Sequence, residues 1–164
     1  MQAALSMMVD PRLFALAPRH VTVSTVGVIH NITRLAHDFP KVSFALSLHA
    51  PTQELRQRIV PSAAAHKLGP LVAATLQYQQ ITGQKVFIEY VMLEGVNDDV
   101  AQAEELGALL EGHRVTVNLI PWNPVLSPDM HFGAPGIERV RCLQAHALLF
   151  LAAERVCCAV RCLR

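Results

Sequence analysis

Ser24, Ser47, His49 and Asn123 each stand at or just past the end of an apolar run, where a strand would hand over to a loop. On adjacent strand tips, the two hydroxyls and the imidazole would converge on one ligand. Hydroxyls suit an uncharged or zwitterionic ligand, and an imidazole can donate or accept near neutral pH. Asn123 lies between Pro121 and Pro124, whose rings stiffen the backbone on both sides. A stiff loop presenting an amide suits hydrogen-bonded recognition. A structural reading fits the same residues. Ser and Thr would cap the helices that follow, His49 would bond a backbone carbonyl, and Asn123 would form a turn. Residue type and spacing leave both readings open.

Other residues carry milder signals. Glu89 and Asp98 could act as acid and base, although a strand Glu beside a helix-capping Asp is more often structural. Arg12, Arg19, Arg56 and Arg58 could touch phosphates. A solvated helix face accounts equally well for Arg56 and Arg58. His66, His113 and His146 show no ligand-like spacing and are expected on surfaces. The cysteines are Cys142, Cys157, Cys158 and Cys162, all in the last stretch. A secreted disulfide framework would spread through the chain, so reduced thiols in a cytosolic or organellar compartment are expected.

The elements that must position these residues alternate between strand and helix. His20 to Gly27 opens with β-branched residues and ends in hydroxyls and a glycine, a strand running into a turn. Ile32, Leu35 and Ala36 give Ile29 to His37 helical spacing, and Pro40 stops it. Val42 to Leu46 is a short buried-type strand leading into Ser47-Leu48-His49. Pro51 and Thr52 start a helix with Glu54 in its first turn. Leu68, Leu71, Val72, Leu76 and Gln79 mark the face of another, which Gly83 ends. Lys85 to Leu93 is the clearest strand, and Asn97-Asp98-Asp99 caps a helix through Leu110. Arg114 to Ile120 is a further strand, closed by Pro121-Trp122-Asn123-Pro124. Val125 to Pro135 reads as loop and Gly136 to Ala153 as helix. Strands of nearly continuous apolar character, separated by helices, predict a parallel sheet covered by helices. Polar groups that do work in such sheets cluster at the C-terminal strand ends.

Composition narrows the class. The 164 residues fit one domain, and 52% are hydrophobic against 16% charged. That apolar content excludes disorder, and Gly and Pro show no period. The longest apolar run, Ala147 to Ala153, falls well short of the roughly 20 residues a membrane helix needs. Asp10-Pro11 interrupts a start that lacks basic residues, so no signal peptide is expected. The net charge of +1 makes no general electrostatic case for nucleic acid or an anionic membrane. An undercharged, apolar chain suggests missing partner surface.

Four segments occur in order: Val21-Thr-Val-Ser-Thr-Val-Gly27; Ala45-Leu-Ser-Leu-His-Ala-Pro51; Phe87-Ile-Glu-Tyr-Val-Met-Leu93 with Gly95-Val-Asn-Asp98; and Val117-Asn-Leu-Ile-Pro-Trp-Asn-Pro124. Together they resemble the C-terminal half of the radical S-adenosylmethionine (SAM) methyltransferases of the RlmN/Cfr type. The resemblance runs from about Arg19 to Pro124 and weakly to Leu148. It implies an α/β fold, a partial parallel (β/α) barrel forming the C-terminal half of a radical SAM barrel. It implies S-adenosylmethionine and a [4Fe–4S] cluster as cofactors, with adenine in ribosomal RNA, and transfer RNA in the RlmN branch, as substrates. Carbon 2 is methylated in that branch and carbon 8 in the other. By the same resemblance, Ser24, Ser47, Leu48, His49 and Asn123 contact S-adenosylmethionine. The location expected is cytoplasmic, or organellar in a eukaryote, with no membrane partner.

The departures are large. The family's Cys-x3-Cys-x2-Cys cluster loop and its Gly-Glu-Pro segment are absent. Both would precede Met1, so residues 1–164 are expected to be one partial barrel domain that lacks the N-terminal half and is atypical after about 148. Cys158 and Cys162 copy part of the cluster spacing at the wrong end of the fold, and no metal ligands are assigned. The tail from Arg155 to Arg164 lacks the context of the family's methyl-carrying cysteine, and no catalytic residue is assigned. Ser62 to His66 replaces the family's Asn-Arg-Lys-Tyr stretch. The expected role is thus a fragment of a 23S rRNA and tRNA adenine-C2 methyltransferase that keeps part of the SAM pocket. The alternative is an inactive remnant that binds SAM or a protein partner without chemistry.

Overall fold

The structure is a computed structural model that describes residues 1–123 and 132–151. Four parallel strands run in the order of the chain: β1 (Thr22–Thr25), β2 (Ser43–Ser47), β3 (Val86–Met92) and β4 (Val115–Pro121). The helices are α1 (Gln2–Val9), α2 (Ile29–Asp38), α3 (Gln53–Ile59), α4 (Leu68–Thr82), α5 (Val100–Leu109) and α6 (Ile137–Leu151). Parallel neighbours need crossovers of one hand, so sequential order places the connecting helices on one face of the sheet. The core records this. Phe44, Leu46 and Leu48, then Val86, Ile88, Tyr90 and Met92, then Val115, Val117 and Leu119 all pack with helix residues. The alternate residues, including Ser47, Phe87, Glu89, Val91, Asn118 and Ile120, face the other way and are only half-buried. This second face is the inner face of a partial barrel, as the α/β reading predicts.

The expected elements are present, with changes that have local causes. β1 is shorter than the predicted His20–Gly27, because Pro18–His20 forms a 3₁₀ turn and Thr25 Oγ1 accepts from Gly27 N at 3.1 Å. The buried face of α4 runs through Leu68, Leu71, Ala74, Thr75, Tyr78 and Gln79, whereas the predicted Leu76 is exposed. Tyr78 decides this face. Its hydroxyl donates to Val42 O at 2.7 Å, and its ring lies 5.1 Å from that of Phe44. Gly83 ends α4 in the left-handed conformation, as expected, with φ of 67°. Asp99, not the whole Asn97–Asp99 run, caps α5, and Gln102 Oε1 accepts from Asp99 N at 2.8 Å.

The helix α1 was not legible in the sequence. Leu5 anchors it in the core, and Gln2 bonds Arg34 and Asp38 of α2. The chain then doubles back along it, with Leu16 N donating to Met8 O at 2.8 Å. Met7, Met8, Leu13, Phe14 and Leu16 remain exposed. The described strands form an open sheet, and this apolar surface lies before Val21. Among the described residues no helix is long and apolar enough to cross a membrane. Cys157, Cys158, Cys162 and most of the predicted Val125–Pro135 loop lie outside the described residues.

Candidate functional site

Ser24 and Ser47 meet at the C-terminal end of the first two strands. Ser24 pairs with Ala45 in register, so it sits diagonally across from Ser47, and their Oγ atoms are 3.4 Å apart. The hydroxyls therefore bond each other and do not cap the following helices. Ser47 in turn pairs with Glu89, and Glu89 with Asn118, whose Nδ2 donates to Glu89 Oε1 at 2.9 Å. Strand register thus extends the two serines into a polar row across the inner face. Glu89 carried a weak signal in sequence. Asn118 carried none beyond its place near a strand end.

His49 follows two residues later, with φ of 62°, a conformation uncommon for a non-glycine residue. Its ring bonds the backbone, but not the expected carbonyl. Nδ1 accepts from Val91 N at 3.1 Å. An amide nitrogen can only donate, so the neutral ring carries its proton on Nε2. Burial pushes the imidazole down to about 4, and the positive charge of Arg56 adds to the effect. His49 is therefore a neutral group with one defined donor at pH 7.

Leu48 differs from its neighbours. Its side chain is fully buried in the core. Its N–H donates to Glu89 O at 3.1 Å and its carbonyl accepts from Arg56 Nε at 3.1 Å. It shapes the tip from beneath. Asn123 is exposed, two residues past the end of β4. The preceding Trp122 anchors that tip through its N–H to Met92 O at 3.0 Å and an edge-to-face contact with Phe132. Ser24, Ser47, His49 and Asn123 thus share one rim, with the serines and His49 at the first two strand ends and Asn123 just past the end of the fourth.

Two buried struts hold this rim, and the sequence reading assigned neither to it. Asn97, expected to cap a helix, is fully buried. Its Nδ2 donates to His49 O at 2.8 Å and Val91 O at 2.7 Å, and its Oδ1 accepts from Leu93 N at 2.7 Å. Arg56, expected on a solvated face or against phosphate, is also fully buried and cannot touch RNA. Arg58 on the same helix is exposed, as are Arg12, paired with Asp10, and Arg19. Asp98 is buried in a 3.6 Å ion pair with Arg139 and accepts from Gly95 N, which places it in a structural role. His66, His113 and His146 are half-buried rather than on open surface.

Ser24 also lines a cavity of about 110 Å³ with Met1, Val23, Thr25, Ile32 and Phe44. Pockets for cofactor-sized ligands measure roughly 300 Å³ or more, so this cavity is too small to enclose one. Its donors are hydroxyls, an imidazole N–H and an amide. That set fits the hydroxyls, ring nitrogens and carboxylate of S-adenosylmethionine. The described residues do not fit a [4Fe–4S] cluster. Among the described residues no three His, Cys, Asp or Glu side chains converge on a metal-sized space.

A sequential parallel sheet, helices on one face and a polar rim at the strand ends make a partial (β/α) barrel, and its likeness to a solved radical SAM enzyme places it in that class. A radical SAM methyltransferase from Sphaerobacter thermophilus has the same fold, with a TM-score of 0.83 and 40% identity, over 94% of this chain and 43% of that one. The chain belongs to the RlmN/Cfr-type family within this class. It is 42% identical over 137 residues to "Probable dual-specificity RNA methyltransferase RlmN" of Symbiobacterium thermophilum, covering 84% of this chain and 37% of the relative. It is 40% identical over 167 residues to the protein of that name from Roseiflexus sp. RS-1, covering 96% of this chain. The chain spans 37% and 40% of the lengths of these two relatives. No family model matches.

Proposed function

We propose that Ser24, Ser47, His49 and Asn123 form part of an S-adenosylmethionine site, with Leu48 shaping the tip that presents two of them. The chain, in this reading, is a C-terminal portion of an RNA methyltransferase barrel that acts on adenine in ribosomal and transfer RNA. The carrying observation is the rim itself. Ser24 and Ser47 are in contact across two strands, and His49 beside them is fixed as a neutral donor. These are the positions the family resemblance names.

S-adenosylmethionine supplies a methyl group when bound. What this chain's residues account for is binding and orientation. One of the Ser24 and Ser47 hydroxyls donates to the other, and the accepting hydroxyl is left to donate outward. His49 Nε2–H addresses an acceptor on the ligand. Asn123 closes the opposite end of the rim. In this reading the remaining strands, the cluster loop and the Gly-Glu-Pro segment are supplied from outside residues 1–164. The cytoplasm, where ribosomal and transfer RNA reside, is the compartment this reading assigns.

Calorimetric titration of the 164-residue chain with S-adenosylmethionine tests the reading. Saturable binding that Ser47→Ala weakens supports it. Binding without methylation of RNA fits both the fragment and the non-catalytic remnant. No binding, or binding indifferent to Ser24, Ser47, His49 and Asn123, overturns it.

A further inference from the structure

Arg56 is a cation fully removed from solvent, and its guanidinium is met by backbone carbonyls alone among the described residues. Nε donates to Leu48 O at 3.1 Å. Nη2 donates to Val26 O at 2.5 Å and reaches Ser47 O at 3.4 Å, and Nη1 reaches His66 O at 3.5 Å. These carbonyls belong to different connections. Val26 is in the loop after β1, Ser47 ends β2 with Leu48 just after it, and His66 precedes α4. A fork of rigid N–H donors fixes both the distances and the angles between the groups it joins. Burying such a charge without a carboxylate is costly, so each carbonyl contact must be kept.

The neighbouring chemistry gives the fork a purpose. Val26 lies two residues beyond Ser24, and Leu48 lies between Ser47 and His49. The Ser24–Ser47 contact is therefore no more than two residues along the chain from carbonyls of Val26, Ser47 and Leu48 that Arg56 ties together. Gln53, one turn earlier on α3, braces the same helix by donating to Ala63 O at 3.1 Å and accepting from Leu68 N at 2.7 Å.

We propose that Arg56 is a positioning residue for the rim, setting the separation of the β1 and β2 tips so that Ser24, Ser47 and His49 address one ligand. The proposal rests on the S-adenosylmethionine reading for the identity of that ligand. Lysine keeps the charge but offers a single point donor, which cannot hold carbonyls of two loops in a fixed plane.

The test compares Arg56→Lys, with the exposed Arg58→Lys as control, in the full chain. The readouts are S-adenosylmethionine affinity, the thermal midpoint and the NMR resonances of the His49 ring. R56K is expected to weaken binding by about tenfold and to displace the His49 resonances in the folded protein, while R58K changes neither. A lowered thermal midpoint with unchanged affinity and unchanged His49 resonances overturns the proposal, because the role is then merely structural. If the unaltered chain binds no S-adenosylmethionine, the cofactor reading fails by itself, and the His49 resonances decide the proposal: displaced, it stands; unmoved, it falls. Should R56K not fold, the unaltered protein decides. A slowly exchanging Arg56 Nε–H, expected from a buried bond to Leu48 O, supports the proposal, and exchange as fast as at Arg58 overturns it.

Discussion

His49 Nδ1 accepts a hydrogen bond from the backbone N–H of Val91, a residue of a different strand. The bond holds only while Nδ1 is unprotonated. Protonating His49 would set two donors against each other and place a second cation near Arg56.

This relationship makes stability depend on pH in a defined window. The folded state holds the His49 imidazole at about 4, below its ordinary 6.5. The unfolded chain therefore binds a proton that the folded chain refuses as pH falls. The stabilisation is complete above pH 6.5, is lost progressively toward pH 4, and amounts to roughly 3 kcal/mol. Denaturant unfolding at a series of pH values should show this slope in the parent and a flatter one in His49→Gln.

Removing the Ser24 or Ser47 hydroxyl should weaken S-adenosylmethionine binding by about fivefold to thirtyfold each, the range of one lost ligand hydrogen bond. The two losses should not add. Each serine is the other's partner at 3.4 Å, so either substitution also disturbs the remaining hydroxyl. Calorimetry on both single variants and the double variant measures the coupling.

Asn97→Ala should cost about 3 kcal/mol or more, because it leaves Leu93 N–H, His49 O and Val91 O without their partner. Asn97→Asp removes both donations and should be no better. Denaturant midpoints check this, and an effect below 1 kcal/mol would mean that water replaces the amide.

Gly27→Ala should cost about 2 kcal/mol or more. Gly27 has φ of 107°, and a Cβ there would lie 2.6 Å from Leu71 Cδ1. Gly83→Ala, where a Cβ would meet nothing, should cost only about 1 kcal/mol for its φ of 67°. The thermal midpoints of the two variants should fall in that order.

Anaerobic incubation of this chain with iron and sulfide should produce no stable [4Fe–4S] cluster, and the chain alone should not methylate RNA. The described residues provide no converging thiolate set. A stable cluster that cleaves S-adenosylmethionine would return Cys157, Cys158 and Cys162 to consideration as ligands.

The strands and most helices were legible because their signals are local. Ile32, Leu35 and Ala36 repeat at helical spacing, and the β2 and β3 runs are apolar and β-branched or aromatic. The rim was legible because its polar residues stand at the ends of those runs. What stayed hidden depends on distant partners. Asn97 and Asp99 look alike in sequence, yet one bonds His49 and the other caps a helix. Arg56 and Arg58 share a helix two residues apart, and only tertiary packing turns one inward. The face of α4 shifted because Tyr78 finds Val42 O, a partner 36 residues away.

The sequential order of the strands also gives the protein a direction of assembly. Each new strand pairs with the one made just before it, so the sheet can grow from one side as the chain emerges. The tip that carries His49 does not share this immediacy. Its ring waits for Val91, 42 residues downstream, and its carbonyl for Asn97, 48 residues downstream. Half-made chains would thus hold β1 and β2 together while leaving the histidine unset, and the rim would acquire its final shape late, when the segment after β3 docks.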